Sequence, residues 1–380
     1  MSLTACSRRF AFSLALLAAL SLPVLAQTPV TPKATSPEQA VDRGLAFLLA
    51  HQSPDGAFRI ADPNTPIDIG ISALALKALA SSPRAETDRP ALDKAVAFLL
   101  ANQQPDGGIR GEMIGTYTTS VAVVALQALN NPKLKPNIDR AVAYLRNQQC
   151  NAANGYDPRK DPSFGGFGYG GSKGRSDLSN TQMVMDALEA AGIKKDDPAY
   201  RDALVFISRC QNNSETNDQP FASADGGGVY TPLGSRDTEY TKPDGTKGFR
   251  SYGSMTYALL KSMIYADLSK SDPRVVAAFG WISSNYTLDE NPGMGKSGLY
   301  YYYHTFASAL AAAGDDSITD AKGVKHDWRK ELAARLIDLQ RPDGSWFNDQ
   351  RDRWNEDNPV LVTSYSVLAL QESMRKGKTK

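Results

Sequence analysis

Two short stretches of this chain hold residue types able to do chemistry. One is Tyr300-Tyr301-Tyr302-Tyr303-His304-Thr305. An imidazole beside a phenol forms a general acid–base pair when both reach one substrate, since His changes charge near neutral pH and Tyr keeps its proton there. With Arg250 or Arg236 to hold a carboxylate, Tyr303 and His304 would suit proton abstraction beside a uronate, the chemistry of a polysaccharide lyase. At helical spacing the four tyrosines spread around the axis, so one or two face any cavity. The others, and His304 too, serve equally well as packed groups whose polar ends find partners.

The second stretch is Asp177-Leu178-Ser179-Asn180-Thr181, at the head of the apolar run 182–188. An Asp at a helix start accepts backbone N–H groups that have no partner within the helix. Asp68 stands at the corresponding place before another apolar run. Both aspartates either cap their helices or, if several helix starts converge, also line a cavity that binds a polar or anionic group. Of the three cysteines, Cys6 precedes the apolar N-terminal run; the other two, Cys150 and Cys210, with three histidines are too few for a four-cysteine zinc cage, and neither metal nor other cofactor is expected. The two cysteines either pair as a disulfide or stay as buried thiols.

The chain begins with Arg8-Arg9, an apolar run from Phe10 to Leu25, and small residues ending at Ala26. This reads as a signal peptide over 1–26, cleaved before Gln27, for a secreted or periplasmic protein. The run is short for a membrane span and contains Pro23, so no stable anchor is expected after cleavage. Removing the two leader arginines from 42 basic against 41 acidic residues leaves a net charge of −1. Without a basic block there is no reason to expect nucleic acid.

What positions these residues is an internal repeat. Residues 40–58 (AVDRGLAFLLAHQSPDGAF) and 91–109 (ALDKAVAFLLANQQPDGGI) are near copies, and the pattern recurs from 137, 199, 273 and 332. Aligned on Gln52, Gln103, Gln149, Gln211 and Gln340, with Tyr286 in the fifth place, there are six units. Each opens with an amphipathic helix, passes a Pro-Asp-Gly turn in three units, and ends in a second helix apolar nearly all round. A helix apolar on every side must be enclosed by protein. Six amphipathic helices alternating with six enclosed ones predict an all-α fold, a closed α6/α6 toroid or alpha-alpha barrel of six helix pairs. It should span 37–375, after a linker at 27–36 and before a tail at 376–380. Aligning the inner helices places Ser72, Ala122, Thr181, Thr256, Thr305 and Thr363 in one layer. Four residues earlier stand Asp68, Thr118, Asp177, Tyr252, Tyr301 and Pro359. The expected mouth thus gathers Asp68, Asp177, Asn180, Tyr252, Tyr301 and His304, rimmed by the long loops 162–177 and 213–250.

The unit resembles the QW repeat of squalene and oxidosqualene cyclases and the related repeat of protein prenyltransferase β-subunits. The residues that carry the likeness are Ala141-Val142-Ala143-Tyr144-Leu145 with Gln149, and Gln340-Arg341-Pro342-Asp343-Gly344-Ser345-Trp346. The resemblance implies the same toroid. The cyclases' acid motif is Asp-x-Asp-Asp-Thr, whose middle Asp protonates the substrate. Residues 177–181 match it in position, but Ser179 replaces that Asp and Asn180 the next. The prenyltransferases' zinc site takes a His in a Tyr-His-Thr context, as at Tyr303-His304-Thr305, but also an Asp-x-Cys that residues 252–255 lack. Both family chemistries are expected to be absent. The reading is an exported ligand-binding or assembly module for a small isoprenoid-like or saccharide ligand, with a protein partner as a further option. The alternative is an enzyme, cyclase-like or a Tyr/His lyase. His304, Tyr303 and Asp177 are its catalytic candidates; Asp68, Asn180, Arg250, Tyr252 and Tyr301 are the binding candidates.

Overall fold

The computed structural model describes residues 33–60, 68–170, 175–235, 237–350 and 354–375. The leader 1–26, most of the linker, the tail 376–380 and Arg236 lie outside them. Twelve α-helices appear among the described residues, alternating in the predicted order. They are α1 Pro37–Ala50, α2 Asp68–Ala80, α3 Arg89–Ala101, α4 Gly115–Ala128, α5 Lys135–Asn147 and α6 Leu178–Ala190. The second half comprises α7 Pro198–Arg209, α8 Gly253–Tyr265, α9 Pro273–Ser284, α10 Leu299–Ala313, α11 Trp328–Leu339 and α12 Pro359–Met374. The even-numbered helices form the inner ring, each touching the one before and the one after it, and α12 packs on α2 to close the circle. Two short hairpins, β1 Glu239–Thr241 with β2 Lys247–Phe249 and β3 Ile318–Thr319 with β4 Lys325–His326, decorate the connections.

The apolar pattern explains the layering. Inner α12 buries thirteen of its sixteen residues, from Val360 to Ser373, whereas outer α3 buries only Leu92, Ala95 and Leu99. Burial of each valine or leucine among them contributes about 1.5–3 kcal/mol, which favours two packed rings over separate hairpins.

The repeated glutamine joins neighbouring units. Its amide donates to the carbonyl of the glycine in its own turn and to a carbonyl in the first turn of the next outer helix. Gln52 reaches Gly56 at 3.3 Å and Ala91 at 2.8 Å, and Gln149 reaches Gly165 and Ala199, both at 2.9 Å. Gln340 donates to Gly344 and, across the seam, to Ala40 of α1 at 2.8 Å. In the fifth unit Tyr286 does the same work differently, its hydroxyl donating to Glu331 in the first turn of α11 at 2.9 Å. The substitution thus preserves the joint.

A second repeated bond ties each loop to its inner helix. A hydroxyl accepts the backbone N–H of the loop residue that follows the turn: Ser72 from Phe58, Thr181 from Phe167, Thr256 from Gly228 and Thr363 from Trp346, at 2.9–3.1 Å. In the second unit the acceptor is Thr119, bonded by Ile109 at 3.0 Å, so the register that chose Ala122 is three residues late. In the fifth unit Thr305 bonds only within its own helix, to the carbonyls of Tyr301 and Tyr302. There Tyr303 reaches the loop, donating to the Leu288 carbonyl at 2.6 Å. A longer side chain ties this loop to its helix by donating where the threonines accept, and this shifts the alignment of that unit by two.

Candidate functional site

All six inner helices start at the same end of the ring. Their first turns, with the loops that feed them, enclose a cavity of about 440 Å³. With the corrected register, the residue two before each loop-bonding hydroxyl faces it in five units: Tyr117 on α4, Ser179 on α6, Ser254 on α8, Tyr301 on α10 and Leu361 on α12. Ile71 contributes from α2 and Tyr252 from the cap of α8. The loops add Met113, Tyr169, Tyr230, Met294 and Trp354, with Arg175 at the edge. Aromatic and aliphatic surface dominates, and no Asp or Glu is among the lining residues. Across the floor the hydroxyls of Tyr117 and Tyr365 hydrogen-bond at 2.8 Å. The Tyr301 hydroxyl is buried beside Ser179 and has no hydrogen bond of good geometry among the described residues. An orphaned buried donor in a cavity wall is a place for an acceptor on a ligand.

The sequence-predicted residues divide sharply. Tyr252 and Tyr301 line the cavity. Asp177 and Asn180 stand behind its wall: Asp177 caps α6, its carboxylate accepting the backbone N–H and the side-chain amide of Asn180, both at 2.8 Å. Asp68 is buried at the start of α2, with Arg59 3.2 Å from its carboxylate. Arg250 is exposed at the end of the β1–β2 hairpin and is not part of the wall. Tyr303 points the other way, between the rings, where Arg335 on α11 approaches its oxygen at 3.4 Å. His304 stacks on Tyr365 at 5.4 Å and lines a separate small void deeper along the helices with Lys77, Ser120 and Asp186.

Tyr303 and His304 therefore do not form an acid–base pair at the mouth. Consecutive residues on a helix point about 100° apart, and here that turn separates the outer ring from the lumen. Burial, with the charges of Lys77 and Lys261, holds the His304 imidazole well below its usual range and therefore neutral. Lys261 is paired with Asp186 at 2.8 Å. Among the described residues no three His, Cys, Asp or Glu side chains are gathered so as to hold a metal ion.

Asp177 carries the most unusual electrostatics. Burial pushes its carboxyl up to about 7, against hydrogen bonds from Asn180 and Tyr230 that favour the charge. The Tyr230 hydroxyl in turn bonds that of Tyr169 at 2.9 Å, and both tyrosines face the cavity. Cys150 and Cys210 are both free and buried; Ser176 donates to the Cys150 sulfur at 3.2 Å.

Several wall residues were not named from sequence. Tyr117, Ser254 and Leu361 follow from the loop-bonding hydroxyls once Thr119 replaces Ala122. Tyr230 and Trp354 come from loops and carry no repeat signal. Neither does Glu356, whose buried carboxylate accepts the N–H groups of Tyr300 and Tyr301 and so caps α10 from the loop before α12.

Fold and cavity together define the class: a closed α6/α6 toroid with an apolar cavity at the N-terminal ends of its inner helices. Residues 59–230 match the family model of the squalene-hopene cyclase C-terminal domain, so the likeness read from the repeat is present in the sequence. A drimenyl diphosphate synthase from Streptantibioticus cattleyicolor is 34% identical over 103 residues, 27% of this chain but only 19% of that protein. Among solved structures, the type II terpene cyclase MstE from Scytonema superposes with a TM-score of 0.55 at 15% identity, covering 90% of this chain and 98% of that one. An α-1,6-mannanase from Salegentibacter gives a TM-score of 0.57 at 9% identity, covering 89% and 98%. This is a terpene-cyclase-like toroid, and one architecture carries both cyclisation and glycoside hydrolysis elsewhere, so the chemistry must be argued from the cavity.

Proposed function

We propose that this chain is a binding module for an apolar, isoprenoid-like small molecule held in the mouth of the toroid. The observation that carries this reading is the cavity wall: an aromatic and aliphatic lining with Ser179 where a cyclase keeps its acid, and no carboxylate among the lining residues. At about 440 Å³ the cavity falls in the range of about 300–1,000 Å³ that suits small-molecule ligands. The related fold of MstE has been seen with geranylgeranyl dihydroxybenzoate as substrate, which supports an isoprenoid occupant.

Farnesol titrated against the protein, followed by tryptophan fluorescence from Trp354 in the wall, tests this. Replacing Ser179 by Trp fills the cavity from the second residue of α6, and farnesol affinity is expected to fall by about a hundredfold, about 2.7 kcal/mol. The melting temperature serves as the folding control. Equal binding by S179W, or none by the parent, would sink the reading.

One observation favours a second reading, an enzyme. The Asp177 carboxyl, raised to about 7, is joined through Tyr230 to the cavity, and a group titrating near neutrality suits general acid–base catalysis. The same shift makes Asp177 a weaker acid, the wrong direction for protonating an unactivated alkene. Only a substrate already activated, such as an enol or an epoxide, fits this reading. Product formation from such a substrate that is lost in Asp177→Asn would support it.

We also propose that the protein is exported. Among the described residues no helix is long and apolar enough to cross a membrane. N-terminal sequencing of the protein from a periplasmic or culture fraction is expected to begin at Gln27; an intact Met1 start in the mature protein would overturn the export reading.

A further inference from the structure

A second cavity, of about 450 Å³, opens on the outside of the ring beside the mouth. Its walls are polar where the mouth is apolar: Asn147, Gln148, Asn154, Tyr156 and the loop glycine Gly168 line it. Arg175 belongs to the walls of both cavities, so one side chain stands at the boundary between them. The side chains of Asn147, Gln148 and Arg175 spend no hydrogen-bonding group on other described residues. Asn154 is held rigidly, its amide donating to the Asn147 and Gln149 carbonyls at 3.1 and 2.8 Å.

We infer that the natural ligand is an amphiphile with its apolar chain in the mouth and a hydroxyl-rich, saccharide head group in this outer groove. The inference rests on the reading of the mouth as an isoprenoid-like binding cavity and adds the chemistry of the other end. Amide side chains both donate and accept, which matches sugar hydroxyls that do the same. A tyrosine offers an apolar face with a polar tip, suited to the mixed surface of a pyranose. A phosphate or diphosphate head would call for several cations, and among the described residues that line the groove Arg175 is the one cation. Two cavities of similar size and opposite polarity, meeting at one residue, are what a ligand with two unlike halves requires.

The test uses the full chain and three probes with the same chain: geraniol, geranyl β-D-glucoside and geranyl phosphate, each titrated by calorimetry. The glucoside is expected to bind about tenfold tighter than geraniol, equivalent to about 1.4 kcal/mol. Asn147→Ala and Gln148→Ala, both in the groove and outside the mouth, should reduce the glucoside to the affinity of geraniol and leave geraniol unchanged. A glucoside no tighter than geraniol overturns the saccharide head while the mouth reading stands. A preference for the phosphate likewise overturns it and assigns an anionic head. If no probe binds, the mouth reading fails and takes this one with it.

Discussion

Asp177→Asn is expected to flatten the dependence of stability on pH between about 4 and about 7. In the folded protein burial holds the Asp177 carboxyl at about 7, whereas in the unfolded chain it titrates near 3.9. Its folded value is raised, so its favourable contribution is complete below about pH 4 and is lost as pH climbs through about 7. Over that window the unfolded chain gives up a proton that the folded one retains. The gap corresponds to about 4 kcal/mol, and above neutral pH the fold carries the whole penalty of a buried carboxylate. The variant should fold, because Asn180 can rotate its amide. Its Oδ1, at present buried without a partner, would then accept from the new side chain, while the cap bond from the Asn180 backbone persists. Urea unfolding of both proteins from pH 4 to 8 isolates the term as the difference between two profiles. Parallel profiles would show that the Asp177 carboxyl is not raised.

Gly165→Ala is expected to cost more than about 3 kcal/mol, enough to prevent the chain from accumulating folded at 37 °C. Gly165 lies at φ +85°, and a Cβ there would collide with the backbone carbonyl of Asp202 in the adjoining outer helix. The same glycine supplies the carbonyl that Gln149 holds, so the turn cannot shift without releasing the joint between the third and fourth units. Gly192 makes the control. It lies at φ +72° with nothing near its missing Cβ, and Gly192→Ala should cost only about 1 kcal/mol. Similar losses in the two variants, measured by chemical denaturation, would show that the close approach at Gly165 carries no weight.

The residues of the joint recur in the sequence, whereas their bridging role is a property of the folded ring. Gln, Pro-Asp-Gly and an apolar helix recur because each unit must make the same bridge to the next, and identical geometry demands identical chemistry. Where other residues can meet the same geometry, residue type no longer marks the position. Tyr286 bridges as a glutamine would, and Tyr303 reaches a loop as Thr181 does, yet neither resembles what it replaces. His304 was drawn to the mouth by its sequence context, but its direction is fixed by its neighbour: once Tyr303 is committed to Leu288, His304 must turn into the lumen.

By itself the sequence determined the ring, its six units, the enclosed character of the inner helices and the substitution of Ser179 for an acid. These are properties of periodicity and residue type, and the hydrophobic effect acts on them locally. Only the tertiary structure decided which inner-helix residues share a cavity, that Tyr230 and Trp354 complete it from loops, and that Asp177 lies behind the wall rather than on it. Those facts depend on a rotation of some tens of degrees about each helix and on contacts between residues far apart in the chain. No repeat pattern encodes them, because the long-range bond that sets each rotation can come from a serine, a threonine or a tyrosine.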